Sequence, residues 1–532
     1  MRQCNGKGTM KSASASVQYV GNITYRALLL FTVLCVAGLV RFYHLTDASI
    51  WSDEGFSLIL ATCSLSDIWL LSGFDVHPPL YYLILHGWIM LVGGDELVWT
   101  RGLSASLGVL NVALGIWLVR LVSNGRAAIV AGLLLALLPI AVRYSQDVRM
   151  YSLLGVELTS ATLALVYWVR NPERARYLIV YVLAVVAAFY THYFSIFCVG
   201  SHWLYLLLVR CRIFGGQRYV FRLDWWMANI AIVLLYMPWV PSLTKHIAKG
   251  TLGWIQPVTV YSLPSAFWRF ITLNDGLTYS SLVYWLLPII IVFLGGVVVR
   301  GDSSHHKFGL LMVLCLFSTL LGAIGISLWT PLFVERYLFF AALMLPMVIA
   351  IALVGIKNKL VFSVVLGVCV CLEIAGLRNN YNGFHTMNNP SRVADNRVAE
   401  LMADFNSGVA AGDILVASDV YLFYAAEYYS GKSVTVLFYT PPLKEGRSGR
   451  PGFNDFHAPL MKFSDEIYLD NLQTLKSAQR VWWLAFDHAF ESDAARIPAD
   501  WRLLWSKAAG DNVLALYVIC SGEQAQSQER CR

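Results

Sequence analysis

The sequence predicts a mainly α-helical, polytopic membrane bundle of about eleven spans, followed by a small C-terminal α/β domain. Three observations predict it. Of the 532 residues, 57% are hydrophobic and only 14% charged; soluble proteins run near a quarter charged, so much of this surface must face lipid. Apolar runs long enough to cross a bilayer recur as far as residue 378. Beyond that point the chain turns polar and alternates strand and helix patterns.

The first element is a basic segment, residues 1–26, with Arg2, Lys7, Lys11 and Arg26. The apolar run that follows, 27–43, continues into Arg41-Phe42-Tyr43 with no small-x-small cleavage site, so it reads as an uncleaved first helix. Further spans are expected at 102–119, 127–142, 152–169, 177–191, 194–209, 226–243, 281–299, 308–330, 337–356 and 360–377. The run Leu80–Val92 is shorter and carries His86 and Trp88, which suits an interfacial or re-entrant helix.

Basic residues set the sides. They cluster in five loops: Arg120 and Arg126; Arg170, Arg174 and Arg176; Arg210, Arg212, Arg218 and Arg222; Arg300 and Lys307; Lys357 and Lys359. These loops alternate along the chain and so share one side, the cytoplasmic one by the positive-inside rule. The basic N-terminus joins them only if 80–92 does not span. Residues 44–100 then form one long outer loop of the 27–378 membrane domain, and 379–532 form an extracytoplasmic domain. An inner cell membrane location is expected. The net charge of +7 is accounted for by these loops, not by a basic stripe with interleaved aromatics, so no nucleic acid partner is expected.

In the C-terminal region, 413–418, 433–439, 480–486 and 513–519 read as strands, 393–406 and 420–429 as helices, and 441–457 as a Pro- and Gly-rich loop. The ten cysteines show no CxxC pair and no metal-ligand spacing; most sit in apolar runs as packing residues. Cys520 and Cys531, in the polar tail, are either a disulfide of an exported domain or two free surface thiols.

The polar chemistry gathers on the outer side. Trp51-Ser52-Asp53-Glu54 and Asp75-Val76-His77-Pro78-Pro79 lie in the first outer loop, and Arg101 opens the second span. One carboxylate of the pair suits a general base for an acceptor hydroxyl, and arginine suits a forked phosphate contact; solvated loop acids are the alternative. The segment Arg143 to Tyr151 places Arg143 and Arg149 at the next outer boundary, as binders of an anionic headgroup or as ion-pair partners of Asp147. His192, between two spans, reads as structural. Arg336 and Tyr337 begin a late span with Glu335 as a possible partner of Arg336. No expected span carries a charge near its centre, which counts against an ion-coupled transporter.

The Trp51-Ser52-Asp53-Glu54 motif after a first span, His77-Pro78-Pro79-Leu80-Tyr81-Tyr82, and Thr100-Arg101-Gly102-Leu103-Ser104 resemble the GT-C membrane glycosyltransferases. The resemblance is to the protein O-mannosyltransferase and lipid A aminoarabinose-transferase group, and it spans roughly 25–380; Arg149-Met150-Tyr151 and Glu335-Arg336-Tyr337 add weaker matches. It implies inverting transfer of a hexose or pentose from a polyprenyl-phosphate carrier to a lipid, glycan or protein acceptor. It implies Asp53 as base, Glu54 as the residue that orients or binds the acceptor, Arg101 on the carrier phosphate and His77 near the donor. Asp147, Arg149, Arg336 and Tyr337 are further donor-site candidates. No metal and no cofactor are expected. The lipid A enzymes have lysine where this chain has His77, which favours the mannosyltransferase-like branch. The 244–280 loop is too short for the β-trefoil insertion of eukaryotic protein mannosyltransferases. A transporter or flippase of lipid-linked sugars is the alternative class.

Overall fold

The computed structural model describes residues 27–520, apart from 212–213, 215, 250–254, 386–392, 432–433, 444–446, 452–454, 464, 476–478 and 495. Helix α1 (Ala27–Phe42) leads into two short helices, α2 (Ser52–Ala61) and α3 (Leu65–Ser72), and then α4 (Leu80–Val92). The bundle continues with α5 (Leu97–Val122), α6 (Gly125–Leu137), α7 (Pro139–Ser145), α8 (Tyr151–Arg170), α9 (Arg176–Thr191) and α10 (Ser195–Val209). Then come α11 (Leu223–Tyr236), α12 (Val240–Lys249), α13 (Ser262–Thr272), α14 (Ser281–Gly301), α15 (Phe308–Ser327), α16 (Phe339–Val354) and α17 (Lys359–Tyr381). Seven of these helical stretches are long and apolar enough to cross a membrane, or eight if α6 and α7 count as one bent span. The shorter α1, α9 and α10 coincide with three further expected runs.

The expected 127–142 span is not straight. It bends by 56° between α6 and α7. Pro139 has no N–H, so the Leu135 carbonyl loses its helical donor, and the bend strips the next carbonyl as well. Arg41, at the end of α1 and fully buried, fills both places: its guanidinium donates to the carbonyls of Leu135 (3.1 Å) and Ala136 (2.9 Å). Two carboxylates also lie inside helices, Glu157 in α8 and Glu373 in α17, and both are buried. Glu157 accepts from the Thr191 hydroxyl at 2.9 Å.

Four of the five basic loops meet at one end of the bundle. Arg170 donates to the Leu121 carbonyl and stacks over Phe308, Arg222 pairs with Glu173, and the Tyr219 hydroxyl meets His306. Helix α8 connects this end to the Tyr151 end, and its twenty residues correspond to about 30 Å.

The C-terminal region holds α18 (Val398–Gly408), α19 (Val420–Tyr429) and α20 (Asp487–Ala494) around one sheet. Its strands are β1 (Ile414–Ala417), β2 (Thr435–Tyr439), β3 (Tyr468–Leu469), β4 (Arg480–Phe486), β5 (Trp501–Ala509) and β6 (Asn512–Ile519), in the order β3-β2-β1-β4-β6-β5. The β3, β2, β1 and β4 strands are parallel, and the β5–β6 hairpin adds antiparallel strands at one edge. The four expected strands all form. Strand β5 went unread because its burial pattern is mostly exposed, with no hydrophobic alternation. Part of the expected 441–457 loop forms 3₁₀ turns from Asp455 to Lys462. Cys520 is in a disulfide, while Cys531 lies outside the described residues.

This α/β region packs α19 onto α2. A Cβ on Gly55 would stand 2.7 Å from the Tyr424 Cβ, so only glycine allows this approach. The Tyr429 hydroxyl accepts from Ile50 N at 3.0 Å, and Asn396 donates to the Ile50 carbonyl at 3.1 Å. Substituting Gly55→Val forces the two helices apart. It should lower stability by about 1–3 kcal/mol, the usual cost of overpacking, read as a fall in Tm of the detergent-solubilised protein.

Candidate active site

The site forms where α2, the 146–150 segment, α9 and the start of α16 meet. Trp51 precedes α2 in extended conformation, and Asp53 and Glu54 occupy its first turn, where the helix N-terminus favours negative charge. Although adjacent, the two carboxylates have opposite surroundings. Glu54 is fully buried. Its Oε1 accepts from Arg101 Nε (2.8 Å) and Val148 N (2.9 Å), and its Oε2 from Arg101 Nη2 (2.7 Å) and Trp51 N (3.4 Å). Asp53 keeps 19% of its side chain exposed, with Oδ2 3.5 Å from Arg149 Nη2.

Arg101 is placed differently from its expected post on the carrier phosphate. Nε and Nη2 are taken by Glu54, and Nη1 donates to the carbonyls of Leu45 (3.0 Å) and Ala48 (2.9 Å). Its side chain is 2% exposed. Arg101 and Glu54 are a buried clamp that holds the loop from α1 to α2. Asp147 is likewise committed to an ion pair with Arg143 at 2.5 Å. Glu335, a possible partner of Arg336, pairs instead with Arg269.

Arg149 faces Asp53 from the other side. It donates through Nη1 to the Asp53 carbonyl (3.3 Å) and the Ser57 hydroxyl (3.2 Å), and it is buried. Arg336, also buried, lies over the Trp51 ring at 5.7 Å and the Tyr337 ring at 5.4 Å. His77 is buried, with Nδ1 3.2 Å from Asp75 Oδ2, and Asp75 Oδ2 also takes the His77 N–H and the Tyr82 hydroxyl. Burial pushes the Asp75 carboxyl up to about 6. Burial, and next the Arg149 charge, holds the His77 imidazole well below its ordinary range.

His192 joins the site, although its sequence setting reads as structural. Its ring lies 5.6 Å from His77 and 5.0 Å from Tyr337. Its Nδ1 accepts from Phe194 N at 3.1 Å, which leaves the proton on Nε2. Its signal was the break between two apolar runs on the outer side, shared with many loop residues.

Four buried donor atoms of the residues in this region have no hydrogen-bond partner among the described residues: Trp51 Nε1, Arg149 Nε, the Tyr151 hydroxyl and His192 Nε2. Their residues are linked through Arg336 over Trp51, the Arg149–Asp53 pair and the Tyr151–His192 ring contact at 6.2 Å. Leaving one such group unsatisfied costs roughly 1–3 kcal/mol. Such a group of donors therefore suits an acceptor-rich, anionic ligand.

No family model matches the chain, and no curated protein sequence matches it. Solved structures do. ArnT from Cupriavidus metallidurans bound to undecaprenyl phosphate superposes with a TM-score of 0.59 at 12% identity, over 91% of this chain and 97% of that one. The chain has the GT-C fold. The apo state of ArnT matches with a TM-score of 0.56 at 11% identity, over 94% of this chain and 98% of that one. The Archaeoglobus fulgidus oligosaccharyltransferase AglB, in complex with an inhibitory peptide and a dolichol-phosphate, matches with 0.51 at 11% identity, over 77% and 64%. The fold agrees with the family resemblance of the outer-loop motifs.

Two predictions follow from the geometry. Removing one partner of a buried pair strands the other charge, so Glu54→Ala and Arg101→Ala should each destabilise by about 3–5 kcal/mol. The Glu54→Met/Arg101→Met double variant should recover much of that in Tm. Separately, Asp75 is ionised above about 6 and then accepts from His77. Turnover should fall as pH drops through that value, and Asp75→Asn should lack this limb. A limb unchanged in Asp75→Asn assigns it elsewhere, for instance to Asp147, which burial also pushes up to about 6.

Proposed function

We propose that this chain transfers a sugar, with inversion, from a polyprenyl-phosphate carrier to a lipid, glycan or protein acceptor on the extracytoplasmic face of a membrane. The observation that carries the reading is the partly buried Asp53 beside two buried arginines and a group of buried donors without a hydrogen-bond partner among the described residues. The neighbours with the same fold carry polyprenyl phosphates, undecaprenyl phosphate on ArnT and dolichol-phosphate on AglB.

In this mechanism Asp53 accepts the proton of the acceptor hydroxyl. The acceptor oxygen bonds to the anomeric carbon as the bond from that carbon to the phosphate oxygen breaks. The electron pair stays on the carrier phosphate, whose charge Arg149 and Arg336 offset. His77, His192 and Tyr337 line the donor side. Glu54 positions Asp53 through its clamp with Arg101 and does not touch the acceptor. Aromatic α19, with Tyr421 and Tyr424, closes the site from the C-terminal domain, next to α2.

The topology proposed with it has eleven spans, residues 1–26 in the cytoplasm, α2–α4 in one outer loop and 379–532 outside. The meeting of four basic loops at the end far from Asp53 supports this sidedness. A reporter fused after Gly94 should read as extracytoplasmic.

The decisive experiment is sugar transfer by protein reconstituted with undecaprenyl-phosphate sugars and a cell-envelope extract as acceptor. Asp53→Asn should lose about a hundred- to ten-thousand-fold in rate while keeping its Tm. Normal transfer by Asp53→Asn would remove the base assignment. Movement of labelled carrier across vesicles without any transfer would make the chain a flippase.

A further inference from the structure

Away from Asp53, three ligand-type side chains meet inside the bundle. Cys198 and His202 are four residues apart on α10 and so share one helix face. Cys315 comes from α15, which packs against α10. All three are buried, and their ligand atoms lie within 4.8 Å of one another. The separation of Cys198 Sγ from His202 Nε2 is 3.6 Å. In a tetrahedral zinc site with Zn–S near 2.3 Å and Zn–N near 2.0–2.1 Å, ligand atoms stand about 3.4–3.8 Å apart.

We propose that Cys198, His202 and Cys315 form a zinc site that ties α10 to α15. The surroundings are built for it. The Tyr181 hydroxyl lies 3.2 Å from His202 Nδ1 and holds the ring with Nε2 toward the sulfurs, as outer partners of metal-bound histidines do. Thr162 places its hydroxyl 3.0 Å from His202 Nε2. The charge also balances. Zinc displaces one proton from each thiol, and the imidazole moves its remaining proton from Nε2 to Nδ1, where the Tyr181 oxygen accepts it. Two thiolates and one neutral imidazole around a dication sum to zero, so the filled centre carries no net charge into an apolar interior. The sequence hides this site because its ligands sit on two helices, 113 residues apart between His202 and Cys315.

Full-length protein, expressed with zinc in the medium and purified in detergent without chelator, tests it by elemental analysis. About one zinc per chain is expected, absent from the Cys198→Ser/Cys315→Ser variant and retained by Asp53→Asn. The last arm separates this site from the transferase reading. Cobalt exchanged into the wild-type chain should show thiolate-to-cobalt charge-transfer absorption, a readout that does not depend on any variant folding. Wild-type protein with neither zinc nor the cobalt band overturns the proposal. So does a Cys198–Cys315 disulfide found by mass spectrometry of the unreduced protein.

Discussion

The bidentate contact between Glu54 and Arg101 is the constraint on which the site depends. One carboxylate gathers donors from three places: the guanidinium on α5, the Val148 amide between α7 and α8, and the Trp51 amide ahead of α2. Arg101 in turn ties down two carbonyls of the chain leaving α1. A buried ion pair adds little net stability over a well-packed apolar pair, but breaking it is expensive. Here the pair sets position. It orients the first turn of α2 so that Asp53 turns to the open side, 3.5 Å from Arg149.

The bend at Pro139 is the second requirement. A continuous helix would carry Arg143 and Asp147 straight on. The break instead swings α7 aside and lets residues 146–150 return along α2. The cost is two carbonyls without helical donors, and Arg41 supplies replacements from α1. Gln146 adds a further tie, donating to the Tyr43 carbonyl at 2.8 Å while accepting from Asn380 of α17 at 2.8 Å. The polar ends of four segments are thereby held together by hydrogen bonds in a region where hydrophobic packing alone could not specify them.

The C-terminal α/β region is part of this arrangement. Its sheet has a hydrophobic cluster on each face. Trp482 and Leu484 belong to the cluster that includes α18 and α19, and Val481, Trp483 and Ala485 point into the other. Because both faces are apolar, β4 reads in sequence as a continuous apolar run and not as an alternation. Helix α19 then covers α2 at Gly55, where Tyr424 meets Gly55 and Phe56, so the C-terminal region packs on the helix that carries Asp53.

The sequence by itself determined the helical bundle, because apolar length and charge scarcity are local properties that only a membrane solvent explains. It also determined the neighbourhood of the acids and most of the strands, since Asp53, Glu54, His77, Arg149 and Arg336 fall at run boundaries and β1, β2, β4 and β6 alternate or run apolar. Which carboxylate is open and which is locked was decided only by the tertiary structure. Asp53 and Glu54 are neighbours of the same chemical type, and their difference is made by Arg101, 47 residues from Glu54. The same holds for Arg101, which in sequence is as good a phosphate ligand as Arg149. It holds also for His192, and for the Cys198–His202–Cys315 cluster, whose members meet only when helices pack. Burial and partner choice are properties of surroundings assembled from distant segments, and no spacing along the chain encodes them.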